Sequence, residues 1–285
     1  MEHRVREIDA SLVTAEVERL CISANCNLPE HNLKVIEEAM GKEKSPLGRQ
    51  ILENLLENHR LAREEQVPAC QDTGLAVVFI EVGQDVHIIN GGLEDAINEG
   101  VRRGYKNGYL RKSAVFDPVL DRKNSGDNTP AIIHARIVDG DRISITVAPK
   151  GGGAENMSAV AMLTPAAGAE GVKRFVIDTV SKAGPNPCPP IVVGVGIGGT
   201  FDKVTLLAKK ALTRAMGSHN PDSRYAAMED ELLAGINKLG IGPQGFGGST
   251  TALAVHIETY ACHIASMPVA VNINCHVSPH ESSVI

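Results

Sequence analysis

Four segments of the sequence combine residue types that can do chemistry, and each lies between predicted helices and strands. The first, Pro68–Gly74 (PACQDTG), follows a predicted helix and precedes a predicted strand. It contains four residues in succession that can bind or react: Cys70, Gln71, Asp72 and Thr73. A thiolate next to a carboxylate can bind a metal and move a proton. Residue types alone favour a simple turn, because Asp and Gly both suit turn geometry.

The second segment places a cysteine among prolines. Cys188 lies in Ala183–Pro190 (AGPNPCPP), which contains four prolines. Proline fixes φ and removes an N–H donor, so the segment is predicted to hold its cysteine stiffly. Such stiffness suits a metal ligand, and it equally suits a rigid connector with an incidental thiol.

The third segment combines a histidine and a cysteine near the C-terminal end. Cys275 follows the predicted strand 269–274, and His263 lies twelve residues before it, in a turn. A lone histidine is more often structural than catalytic. Its position in a turn before a strand leaves both interpretations open.

The fourth segment is a glycine run that follows a predicted strand. It begins with one lysine and three glycines: Lys150, Gly151, Gly152 and Gly153. The backbone N–H groups of such a run can bind an anion, and the lysine adds positive charge. A flexible loop explains the run equally well. It lacks the G-K-[ST] ending of a P-loop, so a nucleoside triphosphate site is not predicted.

A second glycine-rich segment, Gly194–Gly199 (GVGIGG), matches the G-x-G-x-x-G pattern of dinucleotide-binding folds. That fold also needs an acidic residue about twenty positions later, at the end of a second strand. The sequence instead continues into a predicted helix that contains Lys209, Lys210 and Arg214. NAD binding therefore remains a weak alternative.

Composition excludes several other functions. The 285 residues carry a formal net charge of −6, and aromatic residues make up 3%, which together disfavour nucleic-acid binding and base stacking. No apolar run is long enough to span a bilayer, and the N-terminal residues lack the apolar stretch of a secretory signal. We predict a cytoplasmic protein with no nucleic-acid or membrane partner, in which the six cysteines are thiols, metal ligands or redox groups.

The elements that must position these segments are predicted to be helical first and mixed later. Apolar residues from Ile8 to Cys26 follow a helical period, and Ser45-Pro46 is predicted to start a helix that runs to about Glu65. Later helices are predicted at 95–106, 171–182, 200–216 and 224–239, and later strands at 75–82, 132–138, 143–148, 191–195, 252–257 and 269–274. Asp139-Gly140 predicts a hairpin between the second and third of these strands. The fold class is therefore α/β (mixed α+β), in one domain over 1–285 with a helical part at 1–66.

Six motifs taken together resemble a known enzyme family. They are, in order, PACQDTG, FDPVLDRKNSGDNTP, KGGGAENMS, NPCPPIVVGVGIGGTFDK, LGIGPQGFGG and HIASMPVAVNINC. This order is similar to that of the iron–sulfur hydro-lyases, and most similar to the α-subunit, or N-terminal catalytic domain, of class I fumarate hydratase. The related L(+)-tartrate dehydratase α-subunit shares much of it. The resemblance covers about Pro46 to Cys275 and implies a mixed-sheet cluster-binding domain with helices packed on it.

The resemblance implies a [4Fe–4S] cluster held by Cys70, Cys188 and Cys275. Three thiolates on four irons leave one iron without a protein ligand, which can act as a Lewis acid. Cys21, Cys26 and Cys262 match no ligand of the family.

The resemblance also implies roles for the remaining site residues. Asp72 and His263 are expected to work as a catalytic pair near the substrate hydroxyl. The dicarboxylate is expected to be bound by a larger set of residues: Gln71, Thr73, Arg111, Lys150, Gly151, Gly152 and Gly153.

The implied activity is the reversible hydration of fumarate to L-malate, a reaction of the tricarboxylic acid cycle. The family needs a second unit that supplies the proton-abstracting base, and little sequence follows Cys275. We therefore expect a separate β-subunit and an α2β2 assembly. The sequence KGGGAEN resembles the fumarate hydratase version of this run more than the tartrate dehydratase version, and this resemblance favours fumarate as the substrate. L(+)-tartrate dehydration remains an alternative, as does a non-catalytic cluster protein.

Overall fold

The computed structural model of the chain describes residues 5–285, which form eight α-helices and ten β-strands. The helices are α1 (Ala10–Cys26), α2 (Glu30–Lys42), α3 (Pro46–Glu65), α4 (Leu93–Asn107), α5 (Gly152–Glu155), α6 (Gly168–Ala183), α7 (Phe201–Ala211) and α8 (Ser223–Asn237). The strands are β1 (Arg6–Asp9), β2 (Leu75–Gly83), β3 (Val86–Ile89), β4 (Ile132–Val138), β5 (Ile143–Lys150), β6 (Ala159–Leu163), β7 (Ile191–Gly198), β8 (Ala252–Tyr260), β9 (Met267–Asn274) and β10 (Glu281–Val284). The predicted mixed α/β class is confirmed.

Contacts divide the chain into two compact units. Unit 1 comprises Met1–Leu28, His59–Gly152 and Pro279–Ile285, and unit 2 comprises Pro29–Asn58 and Gly153–Ser278. The expectation of one hydro-lyase domain over the whole chain stays a prediction.

Unit 1 is built on a four-stranded sheet in the order β10-β5-β2-β4. Helix α1 packs on this sheet and against α4, and apolar side chains from both helices and from β2 and β5 form one buried core. The two helices approach closely at glycines of α4, since a Cβ at Gly104 would lie 2.7 Å from the Cβ of Cys21. Burial raises the pKa of the Cys21 thiol to about 12, so this cysteine is a packing residue.

The predicted hairpin between β4 and β5 is wrong, because β2 lies between them. β2 pairs parallel to β4 and antiparallel to β5. The turn itself forms, with Gly140 at a φ of 106°, but it crosses the end of β2, where a Cβ at Gly83 would lie 2.4 Å from Gly140 O. β2 carries buried residues on both faces, so a central position removes more apolar surface from water than an edge would.

Unit 2 is built on a second four-stranded sheet in the order β6-β9-β7-β8. Helix α7 packs on β7 and β9, while α6 and α8 pack together with β7, β8 and β9 in a separate apolar cluster. Two glycines of β7 allow α7 to lie this close, since a Cβ at Gly194 would be 2.1 Å from Ala208 O and one at Gly196 would be 2.2 Å from Val204 O. Close helix packing therefore explains these two glycines of the G-x-G-x-x-G match.

Unit 2 also contains a buried carboxylate that joins distant segments. Glu43, which is 1% exposed, accepts the N–H groups of Ser45, Ser249 and Thr250 at 2.8–2.9 Å. Burial would raise the pKa of Glu43, but these hydrogen bonds outweigh it and lower the pKa to about 2.

The helix boundaries test the predicted start and stop signals. The Ser45-Pro46 start is confirmed, with Gly48 N–H donating to Ser45 Oγ at 3.1 Å. Ile8 lies in β1 instead of in the first helix, because Asp9 accepts the N–H of Ser11 and caps α1 there. The helix predicted at 200–216 ends at Ala211. Its last residues turn away, and Arg214 donates to the buried Glu229 instead.

In the part of the chain that the structure describes, no helix combines the length and the apolar character needed to cross a bilayer.

Candidate functional site

The loop that carries Cys70, Gln71 and Asp72 lies directly before β2 in unit 1. Its last residue, Gly74, has a φ of 69°, and a Cβ there would lie 2.5 Å from the carbonyl carbon of Lys150. Leu75 pairs with Lys150 in the antiparallel ladder of β2 and β5. The glycine therefore lets the cysteine loop lie against the start of the lysine–glycine run.

The Asp72 carboxylate joins these two segments. Its Oδ1 accepts the N–H of Gly74 at 3.2 Å, and its Oδ2 accepts the N–H of Gly152 at 2.9 Å. A Cβ at Gly151 would lie 3.2 Å from the same Oδ2. The glycine run thus holds the predicted catalytic carboxylate, and the Gly152 donor is directed to Asp72.

Thr73 and Arg111 form a second link across the site. The N–H of Arg111 donates to Thr73 Oγ1 at 2.9 Å, and this hydroxyl donates to Arg111 O at 3.3 Å. Thr73 is buried, whereas Arg111 is exposed. Thr73 therefore fixes the backbone from which the Arg111 side chain extends, and an exposed guanidinium can bind a carboxylate through two parallel hydrogen bonds.

Two residues that were not predicted from the sequence, Tyr105 and Asn128, hold the same loop by hydrogen bonds to its backbone carbonyls. The Tyr105 hydroxyl lies 2.9 Å from Thr73 O and 3.0 Å from Gly74 O, and it donates to this pair of carbonyls. Asn128 Nδ2 also donates to Gly74 O, at 3.1 Å. Burial raises the pKa of Tyr105 well above its usual value, so it remains a neutral donor. Asn128 lies within the FDPVLDRKNSGDNTP motif, whereas no sequence signal marked Tyr105.

The cysteine of this loop accepts a hydrogen bond from the backbone. Asp72 N–H donates to Cys70 Sγ at 3.4 Å, and Cys70 is partly exposed. Its partial exposure leaves the sulfur open to a metal, which binds cysteine in the thiolate form.

Unit 1 therefore brings together a set of predicted residues from three separate segments: Cys70, Gln71, Asp72, Thr73, Arg111, Lys150, Gly151 and Gly152. The set carries one carboxylate and two cationic side chains.

Unit 2 holds the second predicted ligand, Cys188, in a rigid loop between α6 and β7. Cys188 is exposed and has a φ of 54°, and its N–H donates to Pro185 O at 3.0 Å. Pro189 O accepts both the N–H and the side-chain Nε2 of Gln244, at 2.7 and 2.9 Å. These contacts support the prediction of a stiff loop.

The third predicted ligand, Cys275, lies at the same edge of the unit 2 sheet. It follows β9, whose last residue Asn274 pairs with Val192 near the start of β7. Cys188 lies just before β7, so the sheet brings the two cysteines to one edge. Gly153 also belongs here, since a Cβ on it would lie 3.4 Å from Asn186 O.

His263 lies at the opposite edge of this sheet. It belongs to the turn between β8 and β9, and the end of β8, Tyr260, pairs with Gly198 at the end of β7. Its predicted partnership with Asp72 stays a prediction.

The glutamate of the KGGGAEN run has partners within unit 2. Glu155 Oε1 lies 2.6 Å from Lys209 Nζ, and Glu155 Oε2 accepts a hydrogen bond from Asn272 Nδ2 at 2.7 Å. Asn272 Nδ2 also donates to Ser158 Oγ at 2.7 Å. Glu155 therefore stabilises the contact of α7 with β9, and it carries less weight as an indicator of substrate than the sequence implied.

Burial separates two of the six cysteines from the other four, since Cys262 is exposed like the predicted ligand Cys188. No disulfide joins any of the six, which all lie in the described part of the chain. Burial raises the pKa of both Cys21 and Cys26, whereas the three predicted ligands are at least partly exposed. Within residues 5–285, no three His, Cys, Asp or Glu side chains converge as ligands of a single metal ion. Cluster cysteines each bind a different iron, so convergence on one point is not required of them.

Comparison with known proteins relates most of the chain to one group. Residues 14–283 match the family model described as fumarate hydratase (Fumerase). A putative L(+)-tartrate dehydratase subunit alpha of Methanocaldococcus jannaschii is 45% identical over 254 residues, which cover 87% of this chain and 88% of that protein. The L(+)-tartrate dehydratase subunit alpha of Escherichia coli K12 is 35% identical over 250 residues, which cover 87% and 82%. A Shigella sonnei protein of the same name is similar to the same extent.

Proposed function

Because the chain belongs to the fumarate hydratase (Fumerase) family, we propose that it is the α-subunit of an iron–sulfur hydro-lyase that reversibly hydrates fumarate to L-malate. The observation that carries this proposal is the hydrogen-bonded assembly of Asp72, Thr73, Arg111 and Gly152 in unit 1. The Asp72 carboxylate is the group proposed to hold a proton, and the exposed Arg111 guanidinium, on backbone fixed by Thr73, is the group proposed to bind a substrate carboxylate.

We propose that Cys70, Cys188 and Cys275 hold a [4Fe–4S] cluster. When bound, it would supply a Lewis acid, since three cysteine ligands leave one of the four irons without a protein ligand. The exposure of these cysteines supports the assignment.

In the dehydration direction, a base removes a proton from carbon, the C–O bond breaks, and the hydroxyl leaves as water. Asp72 is the proposed group that gives the proton to the departing hydroxyl, with His263 as its expected partner. Its two N–H donors, from Gly74 and Gly152, hold the carboxylate in one orientation. Arg111, Gln71 and Lys150 are the proposed ligands of the substrate carboxylates. The carbon base is expected on the β-subunit.

Dehydration of L(+)-tartrate is the second candidate. The relatives that are 45% and 35% identical are both named as L(+)-tartrate dehydratase α-subunits, which favours this substrate. The contacts of Glu155 with Lys209 and Asn272 explain part of the run that favoured fumarate. Both substrates are small dicarboxylates that lose a hydroxyl next to a carbon-bound proton, so the same residues can serve either.

Since these relatives are named α-subunits, we also propose a β-subunit partner and an α2β2 assembly. A cytoplasmic location is part of the proposal, because reduced thiols persist there and the cluster needs them.

The test is an anaerobic assay of the chain co-expressed with its β-subunit on four substrates: L-malate, fumarate, L(+)-tartrate and its enantiomer. A kcat/KM for malate and fumarate that exceeds the kcat/KM for L(+)-tartrate supports the first proposal. The reverse order supports the second. The variant Arg111→Lys keeps the charge but loses the planar fork, so its KM should rise at least about tenfold. A complex that is inactive on all four substrates would refute both candidates.

A further inference from the structure

The LGIGPQGFGG motif contributes no residue to the proposed site, but it packs on the loop that carries Cys188. From Gly242 onward its residues belong to the 242–251 loop, which lies between α8 and β8. Within this loop, Pro243–Gly245 form one turn of 3₁₀-helix. Both loops belong to unit 2, so the contacts between them lie within one compact unit.

The 3₁₀ turn touches the cysteine loop on both sides of Cys188. After Cys188, Pro189 O accepts the backbone N–H of Gln244 at 2.7 Å and its side-chain Nε2 at 2.9 Å. Before Cys188, a Cβ on Gly245 would lie 2.3 Å from Pro185 Cβ. A proline ring cannot turn aside as a flexible side chain can, so a glycine is required for the turn to lie this close. Two consecutive residues of the turn therefore hold the two ends of the cysteine loop.

The backbone of Cys188 depends on such support. Its φ of 54° lies in the left-handed region, which is unfavourable for a residue that has a side chain. Its N–H donates to Pro185 O at 3.0 Å and closes a turn. Pro187 and Pro189 are buried, whereas Cys188 between them is exposed. The left-handed conformation therefore directs the cysteine out of a buried segment, and it persists only while the surrounding contacts hold it.

The 242–251 loop is itself anchored to buried groups at its other end. The N–H groups of Ser249 and Thr250 both donate to the Glu43 carboxylate at 2.8 Å. Thr251, which is 1% exposed, accepts the N–H of Ile191 at 2.9 Å, at the start of β7. Because this end of the loop is fixed, the turn at its other end can restrain the cysteine loop.

We propose that Gln244 is a positioning residue which, together with Gly245, holds Cys188 in the conformation that presents its thiol to a metal. The restraint of the Cys188 backbone rests on the contacts of these loops. Its use in metal binding rests on the proposed function, in which Cys188 is a cluster ligand. A ligand that is already placed loses less conformational freedom when metal binds, so the restraint should slow the loss of iron.

Amide hydrogen exchange measures the restraint of Cys188 without any metal. The full chain is freed of iron with a chelator, and exchange in the segment 185–190 is followed by mass spectrometry. Four of these six residues are prolines, which carry no amide hydrogen, so the segment reports only on Asn186 and Cys188. Gln244→Met removes the Nε2 donor at a similar side-chain length, and exchange should become about fivefold faster. Unchanged exchange would overturn the proposal.

Two matched controls separate this restraint from general packing. Gln50→Met makes the same change at an exposed position of α3 and should leave exchange in the segment unchanged. Gly245→Ala and Gly247→Ala add the same methyl group at φ values of 80° and 82°. The first methyl meets Pro185, whereas no atom beyond the chain neighbours lies within 4 Å of the second. Exchange at Cys188 should become faster in Gly245→Ala only, and equal effects of the two alanines would contradict the proposal.

Iron release tests the consequence for the cluster. The wild-type complex with its β-subunit and the four variants are loaded with iron under anaerobic conditions, and loss of iron to a chelator is followed by visible absorption. The half-time should fall about fivefold in Gln244→Met and Gly245→Ala and stay at the wild-type value in Gln50→Met and Gly247→Ala. Equal half-times in all five proteins would overturn the proposal. If the wild-type complex bound no iron, the proposed function would fail, and amide exchange would still decide whether Gln244 restrains Cys188.

Discussion

Asp72 and Gly152 are joined by a hydrogen bond of 2.9 Å, from the Gly152 N–H to Asp72 Oδ2. The contact connects residues that are 80 positions apart, from the cysteine loop and from the glycine run. It gives the glycine run a defined use, which is to orient a carboxylate of the same chain. In the proposed mechanism, the run therefore positions the group that moves the proton.

The variant Asp72→Asn should retain its cluster and lose most of its turnover. An amide cannot deliver the proton, and its NH₂ group faces either the Gly74 or the Gly152 N–H, since both contact this side chain. We expect kcat to fall about 100-fold or more. Steady-state kinetics and iron content are measured on the same preparation. Wild-type kcat with a full cluster would show that this carboxylate moves no proton.

The variant Gly74→Ala should distort the site. Its Cβ would lie 2.5 Å from the Lys150 backbone at a φ of 69°, so both strain and collision oppose it. We expect unfolding free energy to fall by about 2–4 kcal/mol. Gly126→Ala is the matched control, because its φ is 82° and no atom lies within 4 Å of the new Cβ. It should lose only about 1 kcal/mol. Equal losses in urea unfolding would contradict the close packing at Gly74.

The variant Thr73→Val should weaken substrate binding through Arg111. Valine keeps the shape but removes the Oγ1 that accepts the Arg111 N–H at 2.9 Å. We expect KM to rise about tenfold, which corresponds to about 1.4 kcal/mol, with kcat changed less. Thr73→Ser keeps the hydroxyl and should restore most of the binding. A KM that is unchanged in the valine variant would show that Thr73 does not position Arg111.

Protonation of Glu43 should make the protein less stable in acid. Its pKa is about 2 in the folded chain and about 4.5 as the usual value, so its contribution is full above about pH 4.5 and is lost as pH falls toward 2. Glu43→Gln should reduce unfolding free energy by about 2 kcal/mol at pH 7 and should flatten this pH dependence. Glu38→Gln, at a pair with Lys42 whose side chains are 69% and 80% exposed, should change it by less than about 0.5 kcal/mol. Chemical denaturation at pH 7 and pH 3 measures the unfolding free energy of both variants. Equal losses in Glu43→Gln and Glu38→Gln would contradict the stabilising role of Glu43.

Local signals predicted the parts of the fold that depend on neighbouring residues. Ser45 caps α3 as predicted, and the cysteine loops lie between the elements that periodicity located. The order of the strands in each sheet was harder to predict from the sequence. The Asp139-Gly140 turn forms, yet β2 separates the strands that it joins, because pairing partners depend on burial in the whole sheet. The short edge strands β1, β3, β6 and β10 were missed, since few residues in each carry a pattern.

In the candidate site, too, local sequence predicted some residues, whereas others depend on the folded arrangement of the chain. The PACQDTG motif carries Cys70 and Asp72, the family resemblance implied Arg111, and the hydrogen bonds of Thr73 bring the two segments together. Tyr105 supports the loop from a helix interior, where nothing in the local sequence marks its hydroxyl. The edge of the sheet at which His263 lies follows from strand order, which no spacing along the chain encodes.

The central claim is that three cysteines from distant parts of the chain hold one cluster, and iron content tests it most directly. The wild-type complex and the variants Cys188→Ser and Cys262→Ser are purified under anaerobic conditions, and iron and visible absorption are measured per α-chain. Cys262 is exposed like Cys188 but lies in the His263 turn, so it is the matched control. We predict about four irons in the wild type and in Cys262→Ser, and loss of iron and colour in Cys188→Ser. Wild-type iron content in Cys188→Ser would contradict the account.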